Sequence, residues 1–78
     1  MEALPGGDAT AALVRLTARE HEVLRRTSLG QTNAQVANAL GVTVHAVKFH
    51  LASIFRKLGV HTRTEAAAVY HDSSDSVG

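Results

Sequence analysis

The fold is decided by residues 32–59, which read TNAQVANALGVTVHAVKFHLASIFRKLG. A threonine opens and a glycine closes each half of this stretch: Thr32 pairs with Gly41, and Thr43 with Gly59. A threonine hydroxyl can accept a hydrogen bond from a free amide at a helix start. Glycine readily takes the left-handed conformation that ends a helix. The stretch therefore predicts two helices joined by the short turn LGVT.

The same signals for helix starts and ends occur before and after residues 32–59. Thr17 with Glu20 and Thr62 with Glu65 form the Thr-x-x-Glu capping-box pattern, and Gly30 follows the first of these helices. Apolar residues recur three to four positions apart, as one buried helix face requires. The expected fold class is all-α, a four-helix bundle with a central helix–turn–helix. The predicted helices lie near residues 18–28, 33–40, 44–58 and 63–71.

The two ends of the chain differ in composition from its middle. Residues 1–15 contain LPGGD and are interpreted as a linker or N-terminal extension, with a short helix capped by Asp8 in DATAALVR. This suggests that the chain is a fragment of a longer protein. The globular domain is expected over 16–71. The small polar residues of 72–78 predict a disordered tail.

Composition excludes several classes of protein. The chain has 78 residues, enough for one domain, and no cysteine, so neither a disulfide framework nor a thiolate metal site is expected. No apolar run approaches the roughly 18 residues of a membrane span. The absence of cysteine fits a cytoplasmic location.

The net charge of +1 conceals an uneven distribution. Residues 23–64 contain no Asp or Glu but six Lys or Arg, so this stretch alone carries +6. A basic middle suggests a polyanionic partner such as nucleic acid. A solvated basic face without a partner is the alternative.

Residues 44–58 place most of their apolar side chains on one side. With about 100° per residue and Leu51 set at zero, the other apolar residues of the core stripe fall within about 60° of it. Phe49 falls near 160°, facing away, and Lys48 near 60°, at the edge of the stripe. A short helix, a tight turn and a longer basic helix indicate a DNA-binding helix–turn–helix, with a generic αα-hairpin as the alternative.

No pattern in the chain indicates an enzyme or a cofactor site. The five histidines are spaced by 24, 5, 11 and 10 residues, so none forms the i, i+4 pair that places two metal ligands on one helix face. There is no Gly-rich phosphate loop, no Ser/His/Asp order and no carboxylate pair of the catalytic kind. We therefore expect no metal, no cofactor and no catalytic residue.

Residues 16–70 resemble the LuxR-type (GerE-like) DNA-binding domain of bacterial transcription regulators. The resemblance rests on LTAREHEVL, GQTNAQVANALGV, VKFHLASIFRKLGV and RTEA, linked motifs in the correct order. It implies a four-helix domain that binds duplex DNA as a dimer and regulates transcription, commonly as the output domain of a response regulator or ligand-sensing regulator. The expected partners are double-stranded DNA, a second copy of the chain and RNA polymerase.

The resemblance also implies roles for individual residues. The third helix would enter the major groove, where Lys48 can donate to guanine or phosphate and Phe49 can pack on a thymine methyl. The residues expected at base edges are His45, Lys48, Phe49 and Ala52. Those expected at phosphates are Thr32, Asn33, Thr43, Ser53, Arg56 and Lys57. Those expected at the dimer contact of the last helix are Arg63, Glu65, Ala66, Val69 and Tyr70.

Two positions depart from the family pattern. Ala34 stands where a lysine is common, and Ala46 where a threonine often precedes the Val-Lys pair. Both predict weaker affinity for the DNA backbone. Two other functions stay open: a promoter-binding helix–turn–helix of a sigma factor, and a protein-interaction module that has lost DNA binding.

Overall fold

The computed structural model describes residues 11–77, with side chains through Ser73, and consists of helices joined by short turns. A 3-10 helix at Ala12–Arg15 precedes four α-helices. Residues 11–77 hold no β-strand, which confirms the all-α prediction. The α-helices are α1 (Ala18–Ser28), α2 (Asn33–Leu40), α3 (Val44–Leu58) and α4 (Arg63–Val77).

The predicted threonine caps form at the first three helices. The Thr17 hydroxyl accepts from the Glu20 amide at 3.1 Å, and the Glu20 carboxylate accepts from the Thr17 amide at 2.9 Å. Thr32 and Gln35 repeat this reciprocal pair at the start of α2. Thr43 accepts from the amide three residues on, as N-cap of α3. The predicted bounds of α1, α2 and α3 are confirmed.

The turn between α2 and α3 depends on a glycine. Gly41 ends α2 in the left-handed conformation, with φ of 69°, where a side chain would be strained. Its conformation reverses the chain within a few residues, so that Val42 can pack against the core. The two helices of the predicted helix–turn–helix unit are thereby held together by a short connection.

The start and the end of α4 differ from the predicted pattern. Thr62 caps the helix by accepting from the Glu65 amide, but the Glu65 carboxylate accepts from the His61 amide at 2.7 Å rather than from Thr62. The predicted end at residue 71 is wrong, since α4 continues to Val77 through most of the predicted disordered tail. No glycine or proline interrupts residues 63–77, so nothing in the local sequence stops the helix.

The start of the globular domain also needs correction. Ala12 and Leu13 are buried, so they belong to the core rather than to a linker that reaches residue 15. The 3-10 helix packs against α3, and both side chains belong to the apolar core. The predicted cap at Asp8 lies outside the described residues.

Helix α3 lies at the centre of the domain. It packs against α1, α2, α4 and the 3-10 helix, and its Val47 and Ile54 are fully buried. Each such side chain contributes about 1.5–3 kcal/mol through burial. This anchoring fixes which side of α3 remains in solvent. The rest of the apolar core consists of Ala12, Leu13, Leu16, Val23, Leu24, Val36, Ala37, Leu51, Leu58 and Ala66.

Candidate nucleic-acid interface

One side of α3 is left open to solvent along the whole helix. Its exposed residues are spaced at i, i+3, i+4, i+7 and i+11, which places them on one face. Phe49 lies in the middle of this face and is 68% exposed, so its predicted outward orientation is confirmed. We call this surface the outward face of α3; it consists of His45, Lys48, Phe49, Ala52 and Arg56.

The exposed phenylalanine has a single ring neighbour. The Phe49 ring meets the half-buried His50 edge-on, with ring centroids 5.9 Å apart and ring planes at 69°. This contact covers only part of the ring, and the remainder faces water. An apolar ring kept in water costs free energy in proportion to its exposed area, which a contacting methyl group would recover. Phe49 is therefore suited to an apolar contact with a partner.

The side of α3 next to the outward face is closed by α1. Ser53 is buried and donates from its hydroxyl to the Glu20 carboxylate at 2.7 Å, and the Lys57 ammonium donates to the same carboxylate at 2.8 Å. The predicted phosphate contact of Ser53 is therefore wrong, and the charge of Lys57 is paired within the protein. The angular count missed this because it considered α3 alone, whereas α1 covers a second side of the helix.

The Glu20 carboxylate has an unusual acidity. Burial alone would raise its pKa, but hydrogen bonds from Lys57, Ser53 and the Thr17 amide outweigh burial and lower the pKa to about 2. The carboxylate is thus ionised at neutral pH and compensates the adjacent ammonium. We call Glu20, Ser53 and Lys57 the buried polar cluster.

The two threonine caps beside the outward face are exposed. The hydroxyl oxygens of Thr32 and Thr43 accept from amides of their own helices, which leaves each O–H available as a donor. Asn33, the first residue of α2, is half-buried, and its Oδ1 accepts from Arg63 Nη1 at 2.6 Å. The start of α2 is thereby joined to the start of α4.

Two of the predicted dimer residues lie inside the domain or turn toward α2. Ala66 is fully buried in the core, so its predicted role in a dimer contact is wrong; packing of α4 on α1 covers it. Arg63 binds Asn33 and donates from Nη2 to the Gln31 carbonyl at 2.8 Å. Glu65 is exposed at the first turn of α4. Val69 and Tyr70 are half-buried against the core.

Part of the positive charge of residues 23–64 is neutralised within the folded domain. Arg25 and Arg26 both bind the Glu22 carboxylate, at 2.8 and 2.7 Å, and the hydrogen bond from Arg25 is the main cause that lowers the Glu22 pKa. Lys57 is paired as described above. The other three cations are Lys48, Arg56 and Arg63, and the two contacts of Arg63 are to neutral oxygens. Glu20 and Glu22 thus neutralise two of the six positive charges. Of the four that remain, three belong to Lys48, Arg56 and Arg63, around the outward face, and one to the pair of arginines on α1.

Metal ligands and membrane-spanning helices were also sought among the residues that the structure describes. Residues 11–77 contain no group of three or more His, Asp or Glu side chains that could hold a metal ion. No described helix is long and apolar enough to cross a membrane.

Comparison with known proteins gives the family. Residues 14–70 match the bacterial regulatory proteins of the luxR family, most of the chain's length. The chain belongs to this family. No solved structure matches it. The LuxR-family resemblance predicted from the sequence is confirmed.

Curated relatives of this LuxR-family chain are transcription regulators. It is 48% identical over 52 residues to the HTH-type transcriptional activator RamA of Corynebacterium glutamicum, an alignment that covers 67% of this chain and 18% of RamA. It is 39% identical over 62 residues to the putative HTH-type transcriptional regulator YhjB of Escherichia coli, covering 80% of this chain and 31% of YhjB. It is 46% identical over 52 residues to the transcriptional activator AnoR of Acinetobacter nosocomialis, covering 67% and 22%. The chain thus spans less than a third of each relative's length.

Sequence reasoning missed two features of this LuxR-family domain. Its capping-box pattern predicted the local role of Glu20 but not the bonds to residues more than 30 positions away. The link from Arg63 to Asn33 also joins residues 30 positions apart and follows no sequence pattern. Both features depend on how the helices pack, which local patterns do not determine.

Proposed function

We propose that this domain binds duplex DNA sequence-specifically as the output domain of a transcription regulator, with α3 as the recognition helix. The observation that carries the proposal is the outward face of α3, where cations and an exposed aromatic ring lie along one side of an anchored helix. LuxR-family membership and the regulator names of the relatives support the same conclusion. Such a domain works where the chromosome is, in the cytoplasm.

The dimensions of α3 suit the major groove. Its fifteen residues span about 22 Å, and the groove of B-DNA, about 12 Å wide, admits one α-helix. In this position Lys48 donates to guanine O6 or N7, and His45 donates to or accepts from a base edge. Phe49 packs on the methyl group of thymine. Ala52 is small enough to let the helix approach the bases.

The phosphate contacts in this proposal are fewer than the sequence predicted. Thr32 and Thr43 donate from their hydroxyls, Asn33 from its amide, and Arg56 supplies charge near the end of α3. Ser53 and Lys57 are left out because they bind Glu20. A domain that binds fewer phosphates has a lower affinity for DNA and a weaker dependence of that affinity on salt.

Dimerisation and the wider role belong to the same proposal. A homodimer would present two recognition helices to two half-sites. We propose that α4 supplies the contact through Glu65, Val69 and Tyr70, with further residues on the exposed side of the helix. In the whole regulator, contact with RNA polymerase would turn binding into control of transcription.

The test is binding of the purified domain to duplex DNA, with random duplexes compared to duplexes selected from a random library. We expect affinity at low salt for random DNA, tighter binding to the selected sequence and a fall of affinity with salt. Absence of binding at low salt would overturn the proposal in favour of a protein-interaction module. Protection of a single half-site by a monomer would instead favour a sigma-factor-like mode.

A further inference from the structure

A hollow lies beside the outward face of α3, where the starts of α2 and α4 meet it. Its volume is about 310 Å³. The floor is almost entirely apolar and comes from α3, and the polar side chains are two cations and one amide at the rim. The lining residues are Asn33, Lys48, Leu51, Ala52, Phe55 and Arg63.

Arg63 lies at this rim, and no carboxylate compensates its positive charge. It donates from two N–H groups to neutral acceptors, the Asn33 side-chain oxygen at 2.6 Å and the Gln31 carbonyl at 2.8 Å. A guanidinium has five N–H donors, so three remain. Because neither acceptor carries a formal charge, neither neutralises the cation. Arg63 thus adds positive potential to the hollow and is held firmly while doing so.

The same contact determines which way the Asn33 amide points. A guanidinium can only donate, so the Asn33 amide must turn its oxygen toward Arg63. The Asn33 NH₂ group is therefore directed elsewhere, and no other described residue accepts from it. An NH₂ group is the end of the amide that an anionic oxygen can use. Arg63 thus prepares Asn33 as a donor to an anion.

We propose that this hollow seats one phosphodiester of the DNA backbone and that Arg63 is its positioning residue, an inference that rests on the proposed function. The phosphate accepts from the Asn33 NH₂ group and from an N–H of the Lys48 ammonium that the guanine contact leaves free, within the positive potential of Arg63. The adjoining deoxyribose packs on Leu51, Ala52 and Phe55. An apolar floor beneath a cationic rim matches a sugar joined to a phosphate better than a free phosphate ion. Arg63 acts here in DNA binding rather than in the dimer contact.

Asn33→Asp separates this role from a structural one. The carboxylate still accepts from Arg63, now as an ion pair, so the thermal unfolding midpoint is expected to stay constant or rise. It has lost the NH₂ donors and places a negative charge at the phosphate. Affinity for a random-sequence duplex at low salt should fall at least about tenfold. Unchanged affinity in a folded Asn33→Asp protein would overturn the inference.

Arg63→Gln tests the positioning residue itself, with Arg19→Gln as the matched control. Arg19 is an exposed arginine that also donates to a backbone carbonyl, that of Leu40 at the far end of α2. Affinity is measured between about 50 and about 200 mM salt, and the slope of log affinity against log salt should become shallower by about one for Arg63→Gln but not for Arg19→Gln. Equal slopes for the two variants would contradict the inference.

A double substitution tests whether Arg63 acts through Asn33. If it does, Arg63→Gln costs less affinity in the Asn33→Ala background than in the wild type. If the losses of affinity from the two substitutions are fully additive, Arg63 does not position Asn33. If sedimentation shows that Arg63→Gln abolishes self-association, Arg63 belongs to the dimer contact instead. These outcomes are distinct from failure of the proposed function, in which the wild-type domain itself binds no DNA.

Discussion

The two sides of α3 differ in whether their polar side chains have partners within the protein. On the side toward α1, Ser53 and Lys57 bind the Glu20 carboxylate at 2.7 and 2.8 Å. On the outward face, no described residue forms a hydrogen bond or ion pair with Lys48 or Arg56, and Phe49 lies mostly in water. One helix thus carries a lysine that stabilises the fold and another that is free for a partner.

This difference teaches that the position of a basic residue in the sequence does not by itself assign it to an interface. Lys57 lies near the basic end of α3 in sequence and resembles a phosphate ligand there, yet its partner lies in α1. The residues that remain after internal partners are assigned form a smaller and more coherent surface. Substitutions on the two sides should therefore separate stability from DNA binding.

The largest effect is expected from Glu20→Ala in the buried polar cluster. The substitution leaves the Lys57 ammonium and the Ser53 hydroxyl without their acceptor and removes half of the α1 capping box. Loss of one partner of such a pair costs about 3–4 kcal/mol, at the low end of the usual range because Lys57 is partly exposed. Chemical denaturation measures the loss. Glu22→Ala removes a half-buried carboxylate of the same helix that pairs with Arg25 and Arg26. It should cost far less, because both arginines remain in contact with water. Equal losses would contradict the difference between the two sides.

Acid should weaken the same cluster. Glu20 has a pKa of about 2 in the folded protein against an ordinary value of 4.5. Because the folded pKa is the lower one, its contribution to stability is complete above about pH 4.5 and is lost as the pH falls toward 2. The contribution to the free energy of unfolding is on the order of 3 kcal/mol. Denaturation at stepped pH should show this loss in the wild type and a flatter acid limb in Glu20→Gln. Identical limbs would mean that other carboxylates cause the acid sensitivity.

The two lysines of α3 offer a direct comparison. Lys48→Ala should weaken binding to a selected duplex by roughly 1–3 kcal/mol and leave the unfolding midpoint unchanged. Lys57→Ala should lower the unfolding midpoint and leave affinity for the duplex unchanged, since the Lys57 ammonium is bound to Glu20. Both substitutions remove one positive charge, so overall electrostatics are matched. Fluorescence anisotropy and thermal unfolding measure the two effects, and loss of DNA affinity in both variants would remove the distinction.

The smallest effect is expected at the exposed ring. Phe49→Ala should cost about 1 kcal/mol of affinity for the selected site, with the loss concentrated at a thymine position, and should leave stability unchanged. Replacing that thymine by uracil, which lacks the methyl group, should reproduce the loss in the wild type and add nothing in the variant. An unchanged site preference in Phe49→Ala would leave the ring without a role in recognition.

Local patterns predicted most of the fold and the outward face. Threonine caps and glycine stops act within one turn of helix, so the bounds of α1, α2 and α3 followed from the sequence alone. The end of α4 did not, because no stop signal precedes Gly78. Ser53, Ala66 and the link between Arg63 and Asn33 were missed for a different reason: each depends on which helix packs against which, and no single stretch of sequence determines this.

The Glu20 carboxylate also bears on how the domain folds. One side chain closes the first turn of α1 and holds the last two turns of α3, so neither contact is complete until both helices are in place. Folding should therefore be cooperative, without a stage in which α3 is formed but undocked. In hydrogen exchange, amides at the start of α1 and at the end of α3 should open with the same free energy. The proposed recognition helix would then open only when the whole domain unfolds.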